Sequence, residues 1–233
     1  MSNKTAAAKP AKKKDMTKFQ WTVKEIIKNN GDVGVKNYWG DDAIYNALVY
    51  DRYDAFKVLV DNGGEVNTIY KDISTGRDSY SILDKAILRK NFEAVKLLVE
   101  KGADVNLKVD GGWSPLVFAV ETQYYPIVEY LIENGADVNS TTDIKETVLM
   151  HAINDNDEAK NIVYMLLEKG ADLSKKDVYG LDFFYHAKLM ECFELIDYVK
   201  FLENDKKCEK ENNLLEIGRK MFKSCFLSNL VDR

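Results

Sequence analysis

The side chains able to do acid–base, nucleophilic or metal chemistry in this 233-residue chain are few. Histidine occurs only as His151 and His186, and cysteine only as Cys192, Cys208 and Cys225. General acid–base catalysis needs groups that converge within hydrogen-bond reach. A shared metal needs ligand atoms about 2 Å from one ion. The cysteines show neither C-x-x-C nor Cys-x-His spacing. They are odd in number and confined to the last fifth of the chain, which is not a disulfide framework and points to a reducing compartment. No G-x-x-x-x-G-K-[ST] loop and no G-x-G-x-x-G turn is present to cradle phosphate. The sequence therefore offers no catalytic residue, no metal ligand set and no cofactor site, and it reads as a protein that is not an enzyme.

The elements that must position these groups come from one recurring phrase. It reads LLVEKGADVN at 97–106, YLIENGADVN at 130–139 and LLEKGADLS at 166–174, with a degraded copy, LVDNGGEVN, at 59–67. Its glycines, Gly63, Gly102, Gly135 and Gly170, are 39, 33 and 35 residues apart. A period in this range marks stacked repeats. Glu65, Asp104, Asp137 and Asp172 belong to the phrase and read as turn closers rather than paired carboxylates. His151 and His186 occupy the same position in successive copies. That separates them by one repeat, on the order of 10 Å, too far to share a metal, and a structural role is expected for both.

Counting back from each glycine, apolar residues recur eight, five and four positions earlier: Ala55, Val58, Leu59; Ala94, Leu97, Leu98; Ile127, Tyr130, Leu131; Ile162, Met165, Leu166. This is one buried helix face, which the glycine ends by adopting the left-handed cap conformation. A second helix precedes each, anchored on Ala47, Ala86, Ala119, Ala152 and Ala187. Val23, Ile26 and Ile27 before Gly31 read as an opening half repeat, and Tyr198, Phe201 and Leu202 repeat the spacing without the glycine. Two stretches break the period. Asn67–Tyr80 is a long finger, and Asp157–Asn161 holds a two-residue insertion read as lying between helices. An amphipathic run with Leu214, Leu215, Ile217, Met221, Phe222, Cys225 and Phe226 reads as a terminal cap.

These residues resemble ankyrin repeats over about 19–203. The third copy is nearest the family pattern, with Gly112-Trp-Ser-Pro-Leu-Val-Phe-Ala119 leading to Gly135-Ala-Asp-Val-Asn139. The family's helix-opening histidine is replaced throughout, by Tyr45, Asp84, Val117, Met150 and Tyr185. The resemblance implies an all-α solenoid of about five helix-turn-helix repeats with an N-terminal half repeat and a C-terminal capping helix. The expected organisation is a disordered basic tail at 1–16, the stack at 17–207 and the cap at 208–233. It also implies a binding surface on the finger tips and the exposed side of each first helix. On this chain those positions include Tyr38, Trp39, Tyr50, Arg77, Tyr80, Arg89, Trp113 and Tyr179, and the aromatics centre the surface on the first three repeats. Trp, Tyr and Arg dominate interface energetics.

The reading is therefore a non-enzymatic module that binds and sequesters or scaffolds a partner protein through a concave face. Abundant Lys, Asn, Ile and Tyr with only three prolines fits an AT-rich genome, viral or bacterial in flavour, and by analogy interference with a host or rival protein. The alternative is a nucleic-acid or anionic-surface tether acting through the tail, where residues 1–15 hold five lysines against Asp15. The rest of the chain, with 28 basic and 37 acidic residues, is too acidic to wrap nucleic acid itself. A third reading, a metal- or redox-sensing scaffold, would use the C-terminal cysteines. No run approaches the ~18 apolar residues of a membrane span. With no apolar leader region the expectation is a cytoplasmic protein, and a monomer is the default for a capped stack.

Overall fold

The computed structural model describes residues 42–71 and 79–209. Tyr38, Trp39, Arg77, the half repeat, the basic tail and most of the capping segment lie outside this range. Within it, ten α-helices follow one another as five successive pairs: α1 Ala43–Val49 and α2 Tyr53–Asp61, α3 Ile82–Leu88 and α4 Phe92–Glu100, α5 Pro115–Glu121 and α6 Tyr125–Glu133, α7 Val148–His151 and α8 Asp157–Glu168, and α9 Phe183–Leu189 and α10 Phe193–Glu209. First helices contact first helices of the next pair, and second contact second. The stack is thus built by nearest-neighbour burial.

The small anchors explain the close approach. Ala86, Ala119, Ala152 and Ala187 are fully buried, with Ala47 nearly so. Leu59, Leu98, Leu131 and Leu166, four residues before each phrase glycine, are also buried. Each of those glycines has φ between +87° and +89°. The following amide then reaches back to close the helix, as in Ala103 N–H to Leu98 O at 2.9 Å and Ala136 N–H to Leu131 O at 3.0 Å. This is the left-handed stop the spacing predicts.

Successive phrases are tied by their last residue. Asn67 accepts from Asp104 N–H at 2.8 Å and donates to Gly102 O at 3.2 Å. Asn106 does the same with Asp137 and Gly135, and Asn139 with Asp172 and Gly170. In the three phrases that carry aspartate, its carboxylate accepts from the backbone two residues on, at Asn106, Asn139 and Ser174, an Asx turn.

Two expectations need correction. Asp157–Asn161 is not inserted between helices; it forms the opening turns of α8. Asn156 accepts from Ala159 N–H at 2.7 Å, and Asp157 and Glu158 follow in the first turn, where acidic side chains complement the helix N-terminus. The extra residues lengthen α8 to 12 residues against nine for α2, α4 and α6. Phe201, expected on the buried face of the last helix, is 65% exposed while Leu195 and Val199 are buried.

Candidate functional site

The fingers between the pairs are closed loops rather than open coil. In the second finger β1 Ile69–Lys71 pairs antiparallel with β2 Ser79–Ser81, so the long stretch Asn67–Tyr80 includes a short hairpin. Tyr70 on β1 is buried and its hydroxyl donates to Asp42 at 2.7 Å. Asp42 also caps α1 through Tyr45 N–H, so this finger is anchored in the first repeat. The next fingers close through the bridges Val109–Trp113 and Thr141–Thr147, and the fifth through Asp177 N–H to Leu181 O. Neighbouring fingers are then joined: Ser79 donates to Asp110 at 2.6 Å, Asp143 N–H to Gly111 O at 2.8 Å and Val178 N–H to Ile144 O at 2.9 Å. The result is a continuous rail of fixed backbone.

The expected binding residues divide on this rail. Tyr50, ending the first helix of its pair, is 54% exposed, and Tyr179, at the tip of the fifth finger, is 75% exposed. Arg89 is tied to Asp51 of the preceding repeat at 2.7 Å. Tyr80 is half-buried against Phe118, with ring centroids 5.6 Å apart and Lys85 over its face. Trp113 packs between Phe118 and His151 at centroid distances of 5.1 and 4.9 Å, so much of its ring serves the stack. Exposed apolar side chains not singled out from sequence occupy equivalent positions further on: Ile144 and Val178 on finger tips, and Leu189 and Met190 ending α9. Their offsets from the phrase could have found them, since Leu189 and Met190 match Leu88 and Arg89. An eye drawn to aromatics passes over them.

Beside Trp113 the structure gathers a cluster that spacing alone conceals. His151, ending α7, has its side chain 9% exposed, with Nδ1 2.9 Å from Glu121 Oε1 at the end of α5. Its Nε2 lies 3.4 Å from Glu146 Oε2 on the fourth finger, out of line for a hydrogen bond. From the fifth repeat, His186 Nε2 lies 2.9 Å from Asp177 Oδ2. Glu146, Asp177 and His186 each present a ligand-type atom within 4.8 Å of the other two. Asp177 Oδ1 accepts from Tyr179 and Leu181 N–H at 2.8 and 2.9 Å. Burial pushes this carboxyl upward, but the bonds from Leu181 N–H, His186 and Tyr179 N–H outweigh it and hold it below the ordinary carboxylate range. The two histidines come from successive repeats, and carboxylates from adjacent fingers, Glu146 and Asp177, lie beside them. Cys192 is buried in the core, its thiol pushed up by desolvation and next by Asp155, and it donates to Met190 O.

No helix among the described residues is long and apolar enough to cross a membrane. A region of 97 residues, 41% of this chain, is 32% identical to alpha-latrocrustotoxin-Lt1a of Latrodectus tredecimguttatus; the match spans 6% of that much longer protein. A family profile of ankyrin repeats in three copies matches residues 13–109 and 83–177. Paired helices, glycine-stopped phrases and joined fingers agree with that match, and the chain belongs to the ankyrin-repeat family.

Proposed function

We propose that this protein is a non-catalytic binding module that holds a partner protein against its fingers and first-helix ends, and acts by occupying or sequestering it. Ankyrin repeats generally mediate protein–protein interaction. The observation that carries the reading here is Tyr179. Its ring is 75% exposed on a finger fixed by two bonds to Asp177 and by Val178 N–H to Ile144 O. A stiff aromatic held in water on ordered backbone loses little entropy on binding. Ile144 and Val178 extend an apolar patch around it, and Tyr50, Leu88, Leu189 and Met190 supply others along the first-helix ends. Exposed apolar groups gathered this way mark interaction sites.

On this reading the protein works as a cytoplasmic monomer, and its AT-rich style of composition favours a partner from a host or rival cell. We also take the segment 208–233 to cover the last repeat. Tyr185 and Phe193 are exposed there, whereas Val117 and Met150, the counterparts of Tyr185, are buried under the following repeat, and Phe92, the counterpart of Phe193, packs edge-on to Tyr130 of the next pair. Deleting 210–233 is expected to make the chain self-associate, and a deletion variant that stays monomeric in sedimentation would remove this assignment.

The test is affinity capture followed by titration with the purified partner, comparing wild type, Tyr50→Ala/Tyr179→Ala and a variant lacking residues 1–15. Loss of about 2 kcal/mol per anchor, roughly 30-fold each, with the tail variant unaffected, is the expected result. Capture that survives the tyrosine changes but vanishes with the tail or on nuclease treatment overturns it in favour of the tether.

A further inference from the structure

We propose that Glu146, Asp177 and His186, closed by His151, form a binding site for one divalent transition-metal ion of the zinc class, clamping the fourth and fifth repeats together. The inference is independent of the partner surface.

The geometry is that of a ligand set with its supports in place. Metal–nitrogen and metal–oxygen bonds of about 2.1 Å put neighbouring ligand atoms roughly 3–3.5 Å apart around a tetrahedral ion. His186 Nε2 and Asp177 Oδ2 are 2.9 Å apart, and His151 Nε2 and Glu146 Oε2 are 3.4 Å apart. Glu146, Asp177 and His186 already lie within 4.8 Å of one another, and Glu146, which is 25% exposed, also lies 3.4 Å from His151 Nε2 outside that group.

His151 is the second, independent observation. Its side chain is more than nine-tenths buried, and Nε2 is aimed at the cluster without a hydrogen bond. In the tautomer that donates Nδ1–H to Glu121, Nε2 carries a lone pair on the side of Glu146 Oε2, 3.4 Å away, the form in which His151 can ligate a cation. The Glu121–His151 pair is the carboxylate–histidine arrangement that orients a metal ligand. Asp177 is oriented in the same way by Tyr179 and Leu181 N–H.

Charge points the same way. Among the described residues no lysine or arginine forms an ion pair with Glu121, Glu146 or Asp177. Their ion-pair partners are His151 and His186, and imidazole with carboxylate is a donor set that selects zinc-class ions over calcium or magnesium.

The experiment is equilibrium dialysis of the full, tag-free chain against Zn²⁺, with Co²⁺ absorption as a report of ligand type. Expected are one Zn²⁺ per chain and a Co²⁺ spectrum with visible d–d bands and no thiolate charge-transfer band. Glu146→Gln, which breaks neither the Asp177–His186 contact nor a helix, is expected to weaken Zn²⁺ about 100-fold with an unchanged apo melting temperature. Glu121→Gln, acting through His151, should weaken it roughly tenfold or more. No stoichiometric binding, a thiolate-type Co²⁺ spectrum from the cysteines, or affinity indifferent to Glu146→Gln each overturns the proposal.

Discussion

Asp84 stands where the ankyrin pattern has its helix-opening histidine in the second copy, and it is fully buried. Its Oδ2 accepts from Ser81 N–H at 2.8 Å and from the Ser81 hydroxyl at 2.7 Å, while Oδ1 is buried with no hydrogen-bond partner. Desolvation pushes the carboxyl from 3.8 to about 7, and the two Ser81 bonds offset only part of that. Because the folded pKa is raised, the native state holds more protons than the unfolded chain between 3.8 and about 7. Stability therefore falls as pH rises through that window: the cost is absent below it and complete above it. At about 1.36 kcal/mol per unit, the gap amounts to about 4 kcal/mol, of which about 2 kcal/mol accrues between pH 5 and pH 7. Asp84→Asn keeps an oxygen for both Ser81 bonds and removes the ionisation. Urea denaturation followed by circular dichroism, in both proteins at several pH values across this range, measures the difference. Wild type is expected to lose about 2 kcal/mol relative to the asparagine variant on going from pH 5 to pH 7. Parallel pH profiles for the two proteins would refute the argument, since they would mean that Asp84 titrates as an ordinary carboxylate.

Three further outcomes follow from packing. A Cβ at Gly112 would lie 2.6 Å from Asp143 N at φ +75°, whereas one at Gly102, φ +88°, meets nothing within 4 Å; Gly102→Ala should cost about 1–2 kcal/mol from backbone strain alone, and Gly112→Ala clearly more, with equal urea midpoints contradicting this. Asn106→Ala removes the bonds to Asp137 N–H and Gly135 O, for a loss of about 1 kcal/mol and faster hydrogen exchange at the Asp137 amide; an unchanged exchange rate there would show that the link is not made in solution. Trp113→Ala strips the packing on Phe118 and His151 and should destabilise the stack by about 2–3 kcal/mol in a urea titration, somewhat below a fully buried tryptophan; a change under about 0.5 kcal/mol would return the residue to a purely surface role.

The architecture was legible because a repeat writes its rules several times. The buried leucines at 59, 98, 131 and 166, the alanine feet and the left-handed glycines recur at one period, so local chemistry and global stacking agree. Helix boundaries were less legible. Asn156 is a good cap, but counting from a fixed period hid it and assigned Asp157–Asn161 to a loop. The surface was harder again. Trp113 and Tyr80 carry the residue types of an interface, yet whether such a ring faces water or a neighbour depends on the next repeat, which sets Phe118 against Tyr80 and His151 against Trp113. The cluster of Glu121, Glu146, His151, Asp177 and His186 could not be read from spacing at all. Its members come from two fingers and three first helices in three repeats, and only the superposition of those repeats brings their polar atoms within a few ångströms. Periodicity along the chain determines the scaffold because each unit repeats the same burial problem. Side-chain encounters between units depend on the residues that break the repeat, and tertiary packing alone decides which of them meet.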